Sequence, residues 1–398
     1  MAEVVVVGGG IGGLAAATAV ARRGHRVVVL ERADRFAEIG AGIQIAPNGI
    51  HALDALGVGA SVRATAVYID ELRFMDGTTD EHVVSMPLTE GYRARFGNPY
   101  VVAHRAELHA SLLDACRSMP GVRLRVGCAA VGYEQDGARA TVVLAGGERV
   151  TGDAVIGADG IRSAIRRQLV GDGEPVVSGH TAYRALIPMA DVPPELRWNA
   201  VTWWAGPGRH FVHYPINGGR TLNLAVIHED GATEAVNGVP VGTPHVRRLF
   251  DGFGPTARRL LALGDDFRAW GLVDRDPVDT WVDGRVVLLG DAAHPMLHFA
   301  AQGACQGLED AVVLGGLLDS GAEAFPERFR RYNAVRRERT ADVQRVSRRS
   351  TVLWHPEGAR ARARNAALAA LTPTELHDRV AWLHRAAVPA GAGTAVAR

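Results

Sequence analysis

One stretch near the start, "VVVVGGGIGG" from Val4 to Gly13, limits the possible folds more than any other. Its β-branched run reads as a strand, and the "LAAATAVARRGH" that follows has strong helix-forming composition, with Gly24 as its stop. "RVVVLE" reads as the next strand. Strand, helix and strand within about 30 residues demand a parallel pair joined by a right-handed crossover. Gly8, Gly10 and Gly13 fall at the first turn with GxGxxG spacing. Glycine suits all three places, because the chain turns tightly, a pyrophosphate approaches the backbone, and the helix packs close to the strand. The first helical amides then face the anion. Glu31, 21 residues beyond Gly10, ends the second strand and is placed to accept hydrogen bonds from an adenosine ribose. A glycine-rich turn without a ligand is the alternative, and the two strands and the acid together favour a dinucleotide site.

Further along, "AELHASLLDACRSM" and "GLEDAVVLGGLL" read as helices, and "ATVVLA", "DAVIGA" and "GRVVLLG" as strands. Between Ser178 and Asp276 the chain changes character: "AVTWWA", "HFVHYPI" and "TLNLAVI" suggest an antiparallel sheet inserted into the first domain. The expected class is α/β, α+β overall, with a Rossmann-like nucleotide domain at 1–68, 101–177 and 277–320. A sheet domain is expected at 69–100 and 178–276, C-terminal helices at 321–385, and a disordered tail at 386–398.

Lys and Arg number 44 against 43 Asp and Glu, so no large field draws nucleic acid or an anionic membrane. For the same reason the clusters "RFRRY", "RRER" and "RVSRRS" read as a solvated helix face rather than an anion site. Cys116, Cys128 and Cys305 are odd in number and far apart, which indicates neither a disulfide framework nor a thiolate metal site. No signal peptide and no membrane span are expected, and the cytoplasm is the expected location.

Two more motifs follow strands: "GADGIRS" at Gly157–Ser163, and "GDAAHP" at Gly290–Pro295, where the strand ends in Gly-Asp and is expected to open into a helix. By itself the former is an ordinary turn before a helix as readily as a binding motif. Together with "GGGIGG…E", in this order and spacing, they resemble the fingerprints of the single-component, FAD-dependent aromatic hydroxylases built on the para-hydroxybenzoate hydroxylase fold. The resemblance runs to about Ala370. It implies that Gly8, Gly10, Gly13, Glu31 and Arg32 bind the ADP half of a noncovalent FAD, and that Arg105 and Asp291 hold the pyrophosphate and ribityl chain. It further implies that Asp159 serves FAD and a passing nicotinamide cofactor, and that Gln44, Gly303 and Ala304 lie against the flavin. "GAGIQIAPNG" is similar to the family's loop over the flavin edge, with Asn48 as a second amide; an ordinary turn is the other reading. His294 and His298 have i, i+4 spacing, but a third ligand and an HExxH glutamate are lacking, so no metal is expected.

The family implies chemistry in which NADH or NADPH reduces the flavin and leaves, and O2 then forms a C4a-hydroperoxide that oxygenates a phenol. Deprotonating that phenol calls for a base. In "HFVHYPI" His210 and His213, three residues apart on the strand, should face opposite sides, and each could be a structural histidine, the reading preferred for His210; the resemblance implies that His213 is the base. "HYP", "GDAAHP" with the "GA" of Gly303–Ala304, and "LWHPEGARARARNA" look most like the 3-hydroxybenzoate 6-hydroxylase branch. There a glutamine is expected where this chain has His298, so either imidazole is a candidate base. Tyr214 and Arg184 are candidate substrate contacts, Arg184 toward a carboxylate or in a structural salt bridge. The expected reaction is hydroxylation of a phenolic acid para to its hydroxyl, by a monomer or homodimer. The rivals are decarboxylating hydroxylation of salicylate, tailoring of a polycyclic substrate, and a flavin-binding protein that does not oxygenate.

Overall fold

Val4 to Val7 are almost fully buried on both faces of their strand, as a continuous apolar run requires in a parallel sheet. In the computed structural model, which describes residues 1–37, 40–319 and 321–386, this strand, Glu3–Val7, is central. It pairs in parallel with Arg26–Leu30 on one side and Ala154–Gly157 on the other. Val122–Arg125 and Val286–Leu288 extend the sheet on either side, and the short Val282–Asp283 closes it antiparallel. Helix Ile11–Ala21 covers one face. Two glycines set its approach. A Cβ on Gly13 would lie 1.9 Å from the Gly8 carbonyl oxygen, and one on Gly315 would lie 2.6 Å from Ala19 Cβ in the neighbouring helix Gly303–Leu317.

The second large sheet runs, in spatial order, Asn237–Val241, Phe267–Asp274, Val176–Pro188, Thr221–Glu229, Arg209–Ile216, Ala200–Gly206, Glu71–Asp76 and His82–Pro87. Its pairs are antiparallel except Ala200–Gly206 with Glu71–Asp76. One face packs on the short helices Thr243–Leu249 and Pro255–Ala262, in a core with Phe211, Trp204 and Phe250. The other face, with Val212, Tyr214 and Ile227, packs toward Leu297 and Phe299. The tail expected at 386–398 lies, from residue 387 on, outside the described residues.

Two expectations need correction. The stretch after Leu288 does not open directly into a helix: it passes through 3-10 turns at Gly290–Ala292 and His298–Ala300, and the helix starts at Gly303. Pro295 disfavours helical backbone at His294, and Ala301, at φ +53°, turns the chain left-handed before the helix. The arginines of helix Phe325–Arg349 do not all line a solvated face. Arg330, Arg337 and Arg345 do, but Arg336 is fully buried. It donates from Nε to Asp310 (2.7 Å) and from Nη1 to Glu309 (2.5 Å), both also buried.

Removing the cation alone leaves these carboxylates buried with one partner fewer. We expect Arg336→Met to lose about 3–5 kcal/mol of stability, read as a lower urea midpoint, and an unchanged midpoint would contradict the role given to this cluster.

Candidate active site

The glycine loop is held from two directions. Glu31 accepts hydrogen bonds from the Gly9 amide (2.8 Å) and the Ala33 amide (2.9 Å), and His109 Nε2 donates to the Gly9 carbonyl (2.8 Å). The helix behind the loop begins at Gly10 with no side-chain cap. Its first amides therefore have no internal partner. Arg32 lies exposed beside the loop.

The second and third motifs are tied to each other. Asp159 engages both carboxylate oxygens in capping the helix Ala164–Leu169, through the Ser163 hydroxyl (2.5 Å) and the Ala164 amide (2.8 Å). Burial raises its pKa, opposed by these hydrogen bonds. From that helix the fully buried Arg166 donates to the carbonyls of Ala292 (3.0 Å) and Ala293 (2.6 Å). On the opposite side Asp310 accepts from the Gly290 amide (3.1 Å) and from His294 Nε2 (2.5 Å). The turn "GDAAHP" is thus clamped between Arg166 and Asp310. It exposes Asp291, whose Oδ1 would lie 3.9 Å from a Cβ on Gly303.

A cavity lies where this turn meets the large sheet, lined by Gln44, Trp203, His210, Val212, Ile227, His298, Phe299 and Ala301. His298 Nε2 is buried without a hydrogen-bond partner among the described residues, and burial, with Arg184 nearby, lowers its pKa to about 3. Tyr214 bonds Gln44, which also accepts from Tyr100 Oη (2.6 Å). Arg184 is electrostatically coupled to Tyr214 and His298 and lies over the Trp270 ring; among the described residues it makes no ion pair. Arg105 opens helix Arg105–Arg117 close enough to depress the Arg184 pKa, after the larger effect of burial.

His213 is not in this cavity. Residues 210, 212 and 214 share one face of Arg209–Ile216, and 211 and 213 share the other. The His213 ring sits 5.8 Å from Trp198 and 6.2 Å from Phe211, both ring nitrogens lack a partner among the described residues, and burial lowers its pKa to about 3. The two histidines therefore lie on opposite faces of the strand, and the cavity is on the face of His210. His210 lines the cavity instead. Its Nδ1 lies 2.9 Å from His355 Nε2, and His355 Nδ1 lies 2.9 Å from Glu229 Oε2. A carboxylate only accepts, so His355 carries its proton on Nδ1 and presents a bare Nε2. His210 must then donate from Nδ1, which leaves a lone pair on its Nε2. Burial, together with His355, His298 and His180, holds His210 well below the ordinary 6.5, and burial also lowers His355.

Residues 1–347 match the FAD binding domain family. The chain belongs to this family. It is 46% identical over 384 residues to 3-hydroxybenzoate 6-hydroxylase 1 of Aquipseudomonas alcaligenes, covering 96% of this chain and 97% of that protein. It is 42% identical over 381 residues to the 3-hydroxybenzoate 6-hydroxylase of Polaromonas naphthalenivorans (strain CJ2), covering 96% and 95%. Its fold superposes on Klebsiella pneumoniae HpxO complexed with FAD and uric acid, with a TM-score of 0.85 and 26% identity over 98% of each chain. These relations bear out the resemblance to FAD-dependent aromatic hydroxylases. The chain is a flavoprotein monooxygenase, and FAD is its cofactor. The loop fits such a group, since a Cβ on Gly8 or Gly13 has no room and the helix behind offers uncapped amides. Among the described residues no helix is long and apolar enough to cross a membrane.

His298, Gln44, Tyr214 and Arg184 are brought together here, whereas His294 turns to Asp310. Sequence reasoning missed Arg166, Asp310 and His355 and set His210 aside. "LWHPEG" had been singled out, but nothing local places His355 beside a strand 145 residues earlier.

His213, His298 and His384 sit at about 3, and His210 is likewise depressed. In the unfolded chain each would take up a proton near ~6.5, so the unfolded state binds more protons below that pH. Stability should therefore be flat above pH ~6.5 and fall as pH drops toward ~4. A urea midpoint that stays constant from neutral pH to the acid end of that range would contradict this.

Proposed function

We propose that this protein hydroxylates a phenolic aromatic acid of the 3-hydroxybenzoate type at the ring carbon para to the hydroxyl, consuming NADH or NADPH and O2. Position 6, named in the relatives' activity, lies para to a hydroxyl at position 3, which supports this reading. The observation that carries it is the lone pair of His210 Nε2, left for the cavity by the bonds on its other side. FAD, when bound, supplies reduction of O2 and delivery of one oxygen atom. The chain's residues prepare the acceptor. His210 takes the phenol proton and makes the ring electron-rich, and His298 holds the same hydroxyl from the opposite wall. Arg184, a half-buried cation without a carboxylate partner among the described residues, pairs with the substrate carboxylate; Tyr214 and Gln44 fix the edge between them. Phe299 and Trp203 exclude water from the ring.

For the cofactor, Gly8, Gly10, Gly13, Glu31 and Arg32 take the ADP half. Arg105 and Asp291 take the pyrophosphate and ribityl chain, and Gly303 and Ala304 back the flavin. Asp159 supports both cofactors through the turn that it caps.

The test is product formed per NADH consumed, with 3-hydroxybenzoate as substrate and 2,5-dihydroxybenzoate as the expected product. His210→Ala should lose ~10²–10⁴ in hydroxylation while keeping FAD, with the reducing equivalents appearing as hydrogen peroxide. His213→Leu should hydroxylate as wild type. Full coupling in His210→Ala together with loss in His213→Leu would overturn the assignment. The acid limb of the hydroxylation rate should also lie well below pH ~6.5, because His210 stays neutral there.

Glu31→Ala should weaken FAD by roughly 10- to 150-fold, the equivalent of one charge-assisted hydrogen bond of ~1.5–3 kcal/mol. Calorimetric titration of the flavin-free protein reads this directly. Acid precipitation of the wild type should leave the yellow flavin in the supernatant, as noncovalent binding requires.

A further inference from the structure

A base buried like His210 has difficulty keeping the proton it accepts. The groups electrostatically coupled to it are His355, His298 and His180, and none is an acid that would offset an imidazolium. A phenol near pKa ~10 therefore gives its proton to this ring only transiently, unless the proton moves on.

A way out is built into the fold. The short helix after the long C-terminal helix, Thr351–Trp354, lays Trp354 across His210 with ring centroids 5.4 Å apart and planes 26° apart. Trp354 also stacks on Phe74 at 5.4 Å and on Trp203 at 5.5 Å, and the His355 carbonyl accepts from the Gly208 amide at 3.2 Å. These contacts hold the His355 ring between His210 and Glu229. The Glu229 side chain, at the end of its strand, is 52% exposed.

We infer that His355 and Glu229 form a proton conduit that joins His210, in the cavity, to solvent. The conduit rests on the reading of His210 as the base. In it the phenol O–H bond breaks as an N–H forms at His210 Nε2, while the proton on His210 Nδ1 passes to His355 Nε2. The proton on His355 Nδ1 passes to a Glu229 carboxylate oxygen and from there to water. No electrons are exchanged, both rings end neutral with their protons on the opposite nitrogen, and one proton appears in solution. Reverse passage returns a proton to the product oxygen and resets both rings. His355 is thus a positioning residue that acts through His210. It is faced by Glu229 and His228 from Thr221–Glu229, by His180 from Val176–Pro188 and by His210; Arg209 lies beyond His228.

The experiment mixes FAD-loaded protein with 3-hydroxybenzoate in weak buffer containing a pH indicator and follows proton release by stopped flow. Wild type should release a proton as ligand binds. His355→Gln should slow release by roughly tenfold or more, with flavin content and equilibrium ligand affinity kept, because an amide bonds to His210 but does not pass a proton through. His355→Ala should be slowed likewise and recover when imidazole is added. Glu229→Gln, a substitution near the surface, should show a lesser slowing in the same direction. Wild-type release rates in His355→Gln and Glu229→Gln would overturn the conduit while leaving the base assignment standing. A His355→Ala defect in hydroxylation with normal proton release, and no response to imidazole, would reduce His355 to packing and also overturn it. Undiminished release from His210→Ala, or none from wild type, would overturn the base assignment itself and the conduit with it.

Discussion

Two neighbouring carboxylates on one buried helix, Glu309 and Asp310, register most of what surrounds the flavin region. Asp310 reaches back to the Gly290 amide and His294, and so fixes where the chain turns after the last long strand of the nucleotide sheet. Glu309 accepts from Asn48 Nδ2 at 2.8 Å, and Asn48 Nδ2 also donates to Gln302 at 2.9 Å, which ties the first turn of helix Pro47–Leu56 to the head of the same helix. Arg336 and Arg339 supply the compensating charge from the long helix. Burying two acids is tolerable because two guanidinium groups and several amides satisfy them together. The arrangement makes three distant segments share one origin of coordinates, and the cavity wall from Gly290 to Ala301 inherits its position from it.

What could be read from the residues alone was governed by local backbone chemistry. The valine run, the glycines of the first turn and Glu31 are legible because each constraint acts within a few residues: a buried strand, a turn that admits no Cβ, an acid at the next strand end. The face of Arg209–Ile216 was not legible. A strand that alternates polar and apolar residues declares its inner side, but this one is buried on both, so the period-two pattern separates His210 from His213 without saying which meets the cavity. Arg336 was misread for a related reason: charge balance over the whole chain does not reveal which arginine of a helix points inward. The helix expected straight after "GD" yielded to Pro295 and to the left-handed Ala301.

The match to the FAD binding domain family ends at residue 347, before Trp354 and His355. The ring that stacks on His210 and the ring that bonds to it both come from the segment just beyond. Within this chain the cavity lining lies inside the matched stretch, and the two rings that hold His210 from behind are added by the residues after the long helix.

The central position of Glu3–Val7 in its sheet has a consequence for biosynthesis. One neighbour, Arg26–Leu30, emerges soon after it, but the other, Ala154–Gly157, follows 150 residues later in register, and Val286–Leu288 later still. At a translation rate of about 5–20 residues per second, the flat, apolar valine strand waits roughly 8–30 s with one edge open. Such an edge invites pairing with other chains. The order of synthesis therefore leaves this strand paired on one side only until nearly two-fifths of the chain has been made.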